Sequence, residues 1–158
     1  MTRKFSGYVF SLLSAIMMLA SGGVFADSMS VNGSAVPKDD SKVIPLNNGI
    51  LNLVSDSDAT FIAKGINISG KSSIDVGSES SGKDRKLVLK VQLAIAANAV
   101  VGITGKNGYR LKVESASSEA GSAFVPTTAS IDVMRLVAKG NFKLDGSSTG
   151  NTLGTFDG

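Results

Sequence analysis

The chain has 158 residues, of which 42% are hydrophobic by type and 18% charged, enough apolar material for a core in a domain of ordinary size. It contains no Cys, no His and no Trp. Those absences exclude a disulfide framework, zinc sites built on Cys or His, cysteine nucleophiles and any triad whose base is His. Carboxylate catalysis, Ser-Lys chemistry and oxygen-only metal binding stay open.

Residues 1–26 have the layout of a secretory signal peptide. Arg3 and Lys4 give a charged start, Val9 to Ala20 an apolar centre, and Val24-Phe25-Ala26 a small-x-small cleavage site. A spanning helix needs about 20 apolar residues and this run has about 12, so cleavage before Asp27 is expected rather than a retained anchor. The protein is then exported, to the periplasm, the cell surface or beyond. Losing Arg3 and Lys4 leaves 14 basic against 13 acidic residues, a net charge of +1. A near-neutral surface with scattered Lys offers no electrostatic footprint for nucleic acid or anionic membrane.

After the leader, residues 27–41 read as an extended arm or edge strand with its connector. Met29, Val31, Gly33 and Ala35 alternate on one face, and Pro37 with Asp39-Asp40 favours a turn. Residues 42–158 form the body. Short apolar runs at Lys42 to Pro45 and Ile50 to Val54 flank Asn47-Asn48-Gly49, which predicts a hairpin or tight turn. Ala59 to Ala63, Ile66 to Ser69 and Ser73 to Val76 are β-branched runs punctuated by Gly65, Gly70 and Gly77, and residues 77–85 read as an exposed loop.

Lys86 to Thr104 is the apolar centre of the body. Leu87, Leu89, Val91, Leu93 and Ile95 alternate with Lys90 and Gln92 among others, which predicts a central strand with one face buried. A helix competes for this stretch, because Leu87, Val91, Ala94, Ile95 and Asn98 also fall at helical spacing. Asn98 marks a bend, and Asn107-Gly108 predicts a hairpin into Tyr109 to Glu114, where Tyr109, Leu111 and Val113 alternate with Arg110, Lys112 and Glu114. Beyond Pro126, Ile131 to Ala138 reads as a strand bulged near Met134 or as a short helix, and Phe142 and Leu144 share a face. The tail is too polar to fold alone. Short strands separated by closely spaced turn signals predict an all-β fold, an immunoglobulin-like antiparallel β-sandwich. No internal repeat stands out, which argues against a solenoid.

Few residues invite chemistry. Asp56-Ser57-Asp58 has the alternating acids of a calcium loop but lacks the later Gly and Glu of an EF-hand, so a solvated turn is the simpler reading, as for Asp39-Asp40. Ser72 and Ser73 lie beside Lys71, and Ser78, Ser80 and Ser81 near Lys83, neighbours that arise by composition in so Ser-rich a chain. Asn32-Gly33-Ser34 and Asn67-Ile68-Ser69 are glycosylation sequons. No catalytic residue, cofactor or metal site is expected.

A cleaved leader, the segment SMSVNGSAVP and the strand KDRKLVLKVQLA in a cysteine-free body resemble the cysteine-free fimbrial subunits of Gram-negative bacteria assembled by the chaperone–usher route. The resemblance implies a structural or adhesive subunit whose arm, through Met29, Val31, Gly33 and Ala35, completes the sheet of the next copy. Its partners would then be itself and a periplasmic chaperone and usher. The alternative is a generic secreted or periplasmic β-sandwich binding domain of the cell surface or extracellular matrix, in which residues 27–36 pair at home as an edge strand. Such pilins finish on an apolar strand after a Gly-aromatic-x-Gly turn, whereas Gly154-Thr155-Phe156-Asp157-Gly158 stands here where that strand would begin.

Overall fold

The computed structural model describes residues 27–37, 39–77, 85–105, 109–146 and 150–156. The expected leader, the Asn107-Gly108 pair and most of the loop at 77–85 lie outside them. All regular structure among the described residues is strand: β1 (Ser28–Val31), β2 (Ser34–Ala35), β3 (Asp39–Asn47), β4 (Ile50–Val54), β5 (Ala59–Ser69), β6 (Lys71–Val76), β7 (Lys86–Ile95), β8 (Val100–Gly105), β9 (Arg110–Ser118), β10 (Ala123–Pro126), β11 (Ser130–Ala138), β12 (Lys143–Leu144) and β13 (Thr152–Phe156). β3 begins at Asp39, inside the turn-rich connector expected at 36–41.

The strands alternate between two sheets. One runs β12-β10-β8-β6-β4-β1-β2, the other β13-β11-β9-β7-β5-β3. Each coil therefore contributes a long strand to one sheet and a short strand to the other, and every pairing between coils is parallel. This is a parallel β-solenoid, which corrects the expected antiparallel immunoglobulin-like sandwich. Alternation along a strand says that one face is wet; it does not say which way the neighbouring strand runs.

Of the two readings at Asn47-Asn48-Gly49 the tight turn holds, with Asn48 at φ 46°, and the hairpin falls, as does the hairpin expected between β8 and β9. β3 and β4, on either side of Asn48-Gly49, belong to different sheets, as do β8 and β9 on either side of Asn107-Gly108, so neither pair is hydrogen-bonded. The solenoid also has an internal repeat that the residues conceal. The core column Leu46, Ile68, Ile95, Ser118 and Ala138 advances along the chain by unequal steps, so no fixed period exists to detect. β11 is a strand throughout, and Met134 and Arg135 are consecutive exposed residues that interrupt its alternation.

The inward faces of both sheets share one core. Leu87, Leu89, Val91, Leu93 and Ile95 are all buried, as the alternation predicts, while Lys90 and Gln92 face outward. Phe61, Leu89, Val113 and Val133 stack in register across four coils. Burying a side chain of this size is worth about 1.5–3 kcal/mol, so with no disulfide in the chain these columns are what offsets the entropy of ordering it.

The two corners of each coil differ. At the first, the chain passes from the long strand to the short one through a residue with positive φ, successively Asn48 (46°), Gly70 (64°), Asn98 (58°), Gly121 (77°) and Gly140 (68°). These are the residues that enter the left-handed region at least cost. The Oδ1 of Asn48 accepts a hydrogen bond from the backbone N–H of Lys71 in the next coil, at 2.9 Å. It lies over Gly70, where a Cβ would come within 2.2 Å of it; Asn98 stands over Gly121 in the same way, at 2.3 Å. At the second corner the buried Tyr109 reaches across two coils, its hydroxyl donating to the carbonyl of Ser55 at 2.9 Å. Gly77 leaves the room for that ring.

The amino-terminal end is finished differently. β1 pairs antiparallel with β4, Ser28 to Val31 opposite Val54 to Leu51, and turns back through Asn32-Gly33 into β2. On the other sheet the outermost strand, β3, carries Pro45 and the charged residues Asp39, Asp40 and Lys42, the devices that discourage further strand pairing.

Candidate functional site

The arm residues are brought together at the edge of β4, though not as one face. Met29 is 2% exposed and opposes Leu53, Val31 is half-buried against the core, and Gly33 and Ala35 are exposed in and after the turn. The arm is thus folded on its own body, with the Oδ1 of Asn32 accepting the backbone N–H of Ile50 at 2.9 Å. That bond engages the oxygen of the sequon asparagine and not its amide nitrogen, the atom a glycan would join.

Ser78, Ser80, Ser81 and Lys83 lie outside the described residues, and Asn67 of the second sequon is exposed on β5, while Ser72, Asp58 and Asp39 serve as structural parts. Ser72 is buried and its hydroxyl donates to the carbonyls of Leu46 and Ser69, at 3.3 and 3.0 Å, tying two corners together. Asp58 accepts the backbone N–H of Lys86 at 2.9 Å, so one acid of the expected calcium-like turn holds the start of β7. No group of three ligating acids occurs among the described residues. Asp39 accepts both the backbone N–H and the hydroxyl of Ser41, at 2.9 and 2.6 Å, with the Lys42 ammonium 3.9 Å away. These hydrogen bonds from Ser41, with some help from Lys42, hold its carboxyl below the usual carboxylate range.

What the topology assembles and the sequence does not is a basic patch. Parallel stacking sets Lys86 of β7 directly beside Arg110 of β9, and Val88 beside Lys112. Lys90 lies further along β7 on the same outward face. Neighbouring strands are about 4.8 Å apart and alternate residues about 6.6 Å, so four cations occupy a small area. Among the described residues only Arg110 of these four is ion-paired, to Asp132 at 3.7 Å. Asp132 also accepts the hydroxyl of Thr152 at 2.9 Å. The result is an open groove of about 360 Å³ whose lining includes Lys86, Arg110, Lys112, Asp132, Thr152 and Gly154.

No family model, curated protein or solved structure matches this chain. The site is therefore read from its own chemistry. Like charges set opposite one another on adjacent strands cost stability, and Lys86 beside Arg110 is such a pair. At the far end of the same outward face the second groove, about 540 Å³, is lined by small and amide residues such as Asn47, Asn67, Ser69, Ala94 and Ser117. Cations crowd at one end of the face, while the other end carries Glu119, which lines that second groove and pairs with Lys139 at 3.1 Å. A trace of the crowding exists in the sequence, where KLVLK and RLKVE each open on a cation and carry a second one, but the register that aligns them is needed to see it.

Proposed function

We propose that this chain is an exported, non-catalytic structural or adhesive subunit of the cell surface, able to multimerise by strand addition through residues 27–36. The observation that bears on the proposal is the antiparallel strand β1, laid on the edge of β4 by a short segment that precedes the solenoid. A fimbrial donor arm is expected to stay free of its own domain, and this one packs at home as an ordinary secreted domain's edge strand does, so strand addition here proceeds only by exchange of that arm between copies. An edge completed by a strand of the same chain accepts the same strand from a neighbour, with the same contacts and at little net cost in enthalpy. Transit through the periplasm in that scheme calls for a chaperone to occupy the β4 edge and an usher to exchange it for an arm.

The experiment is deletion of residues 27–36. The full protein is expected to form concentration-dependent multimers that resist mild heating, and the deletion to remain monomeric and to regain stability when a peptide of residues 27–36 is added. A full protein that stays monomeric at every concentration, while the deletion is merely less stable, would remove the multimerising part of the proposal. The surface assignment is tested by expressing the complete chain in a Gram-negative host. Retention in the cytoplasm with an unprocessed amino terminus would overturn it.

A further inference from the structure

We infer that the outward face of β7, β9 and β11 is a binding surface for an acidic polysaccharide, held by Lys86, Lys90, Arg110 and Lys112. The inference deepens the adhesive reading above and rests on it. Four cations stand on nearby positions of two neighbouring strands, one pair directly opposed, in a chain whose overall charge balance is nearly even. Such crowding costs folding stability and is relieved by a ligand that brings negative charge in a row. The groove beside them adds groups of another kind. Asp132, 22% exposed, and Thr152 offer oxygens to hydroxyl donors, and Gly154 lets β13 approach the backbone of β11 closely, since a Cβ there would meet the carbonyl oxygen of Met134 at 2.6 Å.

That mixture selects among polyanions. A uronic-acid polymer carries carboxylates for the cations and hydroxyls that donate to Asp132, so each group on the face finds a complement. A phosphate surface without hydroxyl donors leaves both Asp132 and Glu114 unanswered, whereas the sugar hydroxyls can donate to each. Single-stranded nucleic acid is held largely by stacking on aromatic rings, and the outward positions of β5, β7, β9 and β11 carry none; the exposed Phe156 at the end of β13 stands opposite the inward-facing Leu136, not in the row of Asp132 and Thr152. A neutral glycan would leave the cations unanswered.

The test uses the full protein with polygalacturonate, measuring affinity by calorimetry at low and at physiological ionic strength. Dextran, single-stranded DNA and phosphatidylserine-containing vesicles serve as comparators. Polygalacturonate is expected to bind and to weaken as salt rises; Lys86→Gln with Lys112→Gln should weaken it about fivefold per cation removed. Lys71→Gln with Lys143→Gln removes the same charge from the opposite sheet and should change affinity less than twofold. Equal losses in the two double variants, tighter binding to DNA or to vesicles, or binding of dextran as strongly as polygalacturonate, would each overturn the inference, as would no binding at all. Cell-surface fractionation of both double variants keeps the outcomes separate. Lost glycan binding with surface display intact strikes only this inference, whereas absence from the surface strikes the adhesive reading itself.

Discussion

Replacing Gly70 by Ala probes the stacked corner, the part of this fold that departs most from a sandwich. At φ 64° an Ala bears a left-handed penalty of roughly 1–2 kcal/mol. Its Cβ would also lie 2.2 Å from the Oδ1 of Asn48, which must swing away and give up its 2.9 Å hydrogen bond from the Lys71 N–H. A lost hydrogen bond of this kind adds about 0.5–1.5 kcal/mol, so Gly70→Ala should cost about 2–3 kcal/mol. In an Asn48→Gly background nothing remains to displace, and the same substitution should cost only the left-handed part. Urea denaturation of the four proteins of this cycle, with unchanged m-values, reads the difference as a coupling of about 1 kcal/mol. Additivity within about 0.3 kcal/mol would refute the reasoning, because the two corners would then not touch.

Leu89→Ala, inside the column of Phe61, Val113 and Val133, should lower stability by about 2–5 kcal/mol, and its exposed neighbour Lys90→Ala by no more than about 0.5 kcal/mol, both measured by denaturant melts. A reversed order would mean that β7 presents its other face to the core. The hydroxyl of Ser118 is buried without a hydrogen-bond partner, between Ile95 and Ala138 in the core column. Ser118→Ala should therefore be neutral or stabilising by up to about 1 kcal/mol, and a clear drop in melting temperature would indicate a partner for that oxygen. The contribution of Asp39 is present in full above the ordinary carboxylate range and is lost as pH falls through its own, lower value. The Ser41 amide resonance should follow that lower titration in NMR, and a midpoint at an ordinary carboxylate value would contradict the bond pair.

The strands are legible in the sequence because burial leaves a period-two mark whatever lies alongside. Leu87 to Ile95 carries that mark without a break, and it overrides the helical spacing of Leu87, Val91 and Ile95. Direction of pairing leaves no such mark. Parallel strands are expected to be covered on both faces and to read as continuous apolar runs, and here each sheet has one face outward, so its strands read as antiparallel ones do. Asn48 misleads for a similar reason. Positive φ serves a two-residue hairpin and a solenoid corner alike, and only the partner of the next strand tells them apart. Of the basic patch the chain shows only the two halves, KLVLK and RLKVE, because Lys86 and Lys90 lie a whole coil away from Arg110 and Lys112 and join them only through register. The arm is visible as a strand, while the β4 edge it occupies is not.

The unequal corners give the stack two edges of opposite tolerance. Between the long and short strands of a coil the connection is as short as one residue, Gly70, and never exceeds four, whereas between coils it ranges from three residues after Pro126 to nine before Lys86. Doubling a surface loop costs only about 0.6 kcal/mol in closure entropy, so foreign segments grafted between Val76 and Lys86 should leave the core columns in place. A single residue inserted beside Gly70 has no such outlet, since it must either break the asparagine contact or shift β6 by one place and turn Ile74 and Val76 out of the core. One edge of the molecule is thus free to diversify, and the other sets the reading frame of the fold.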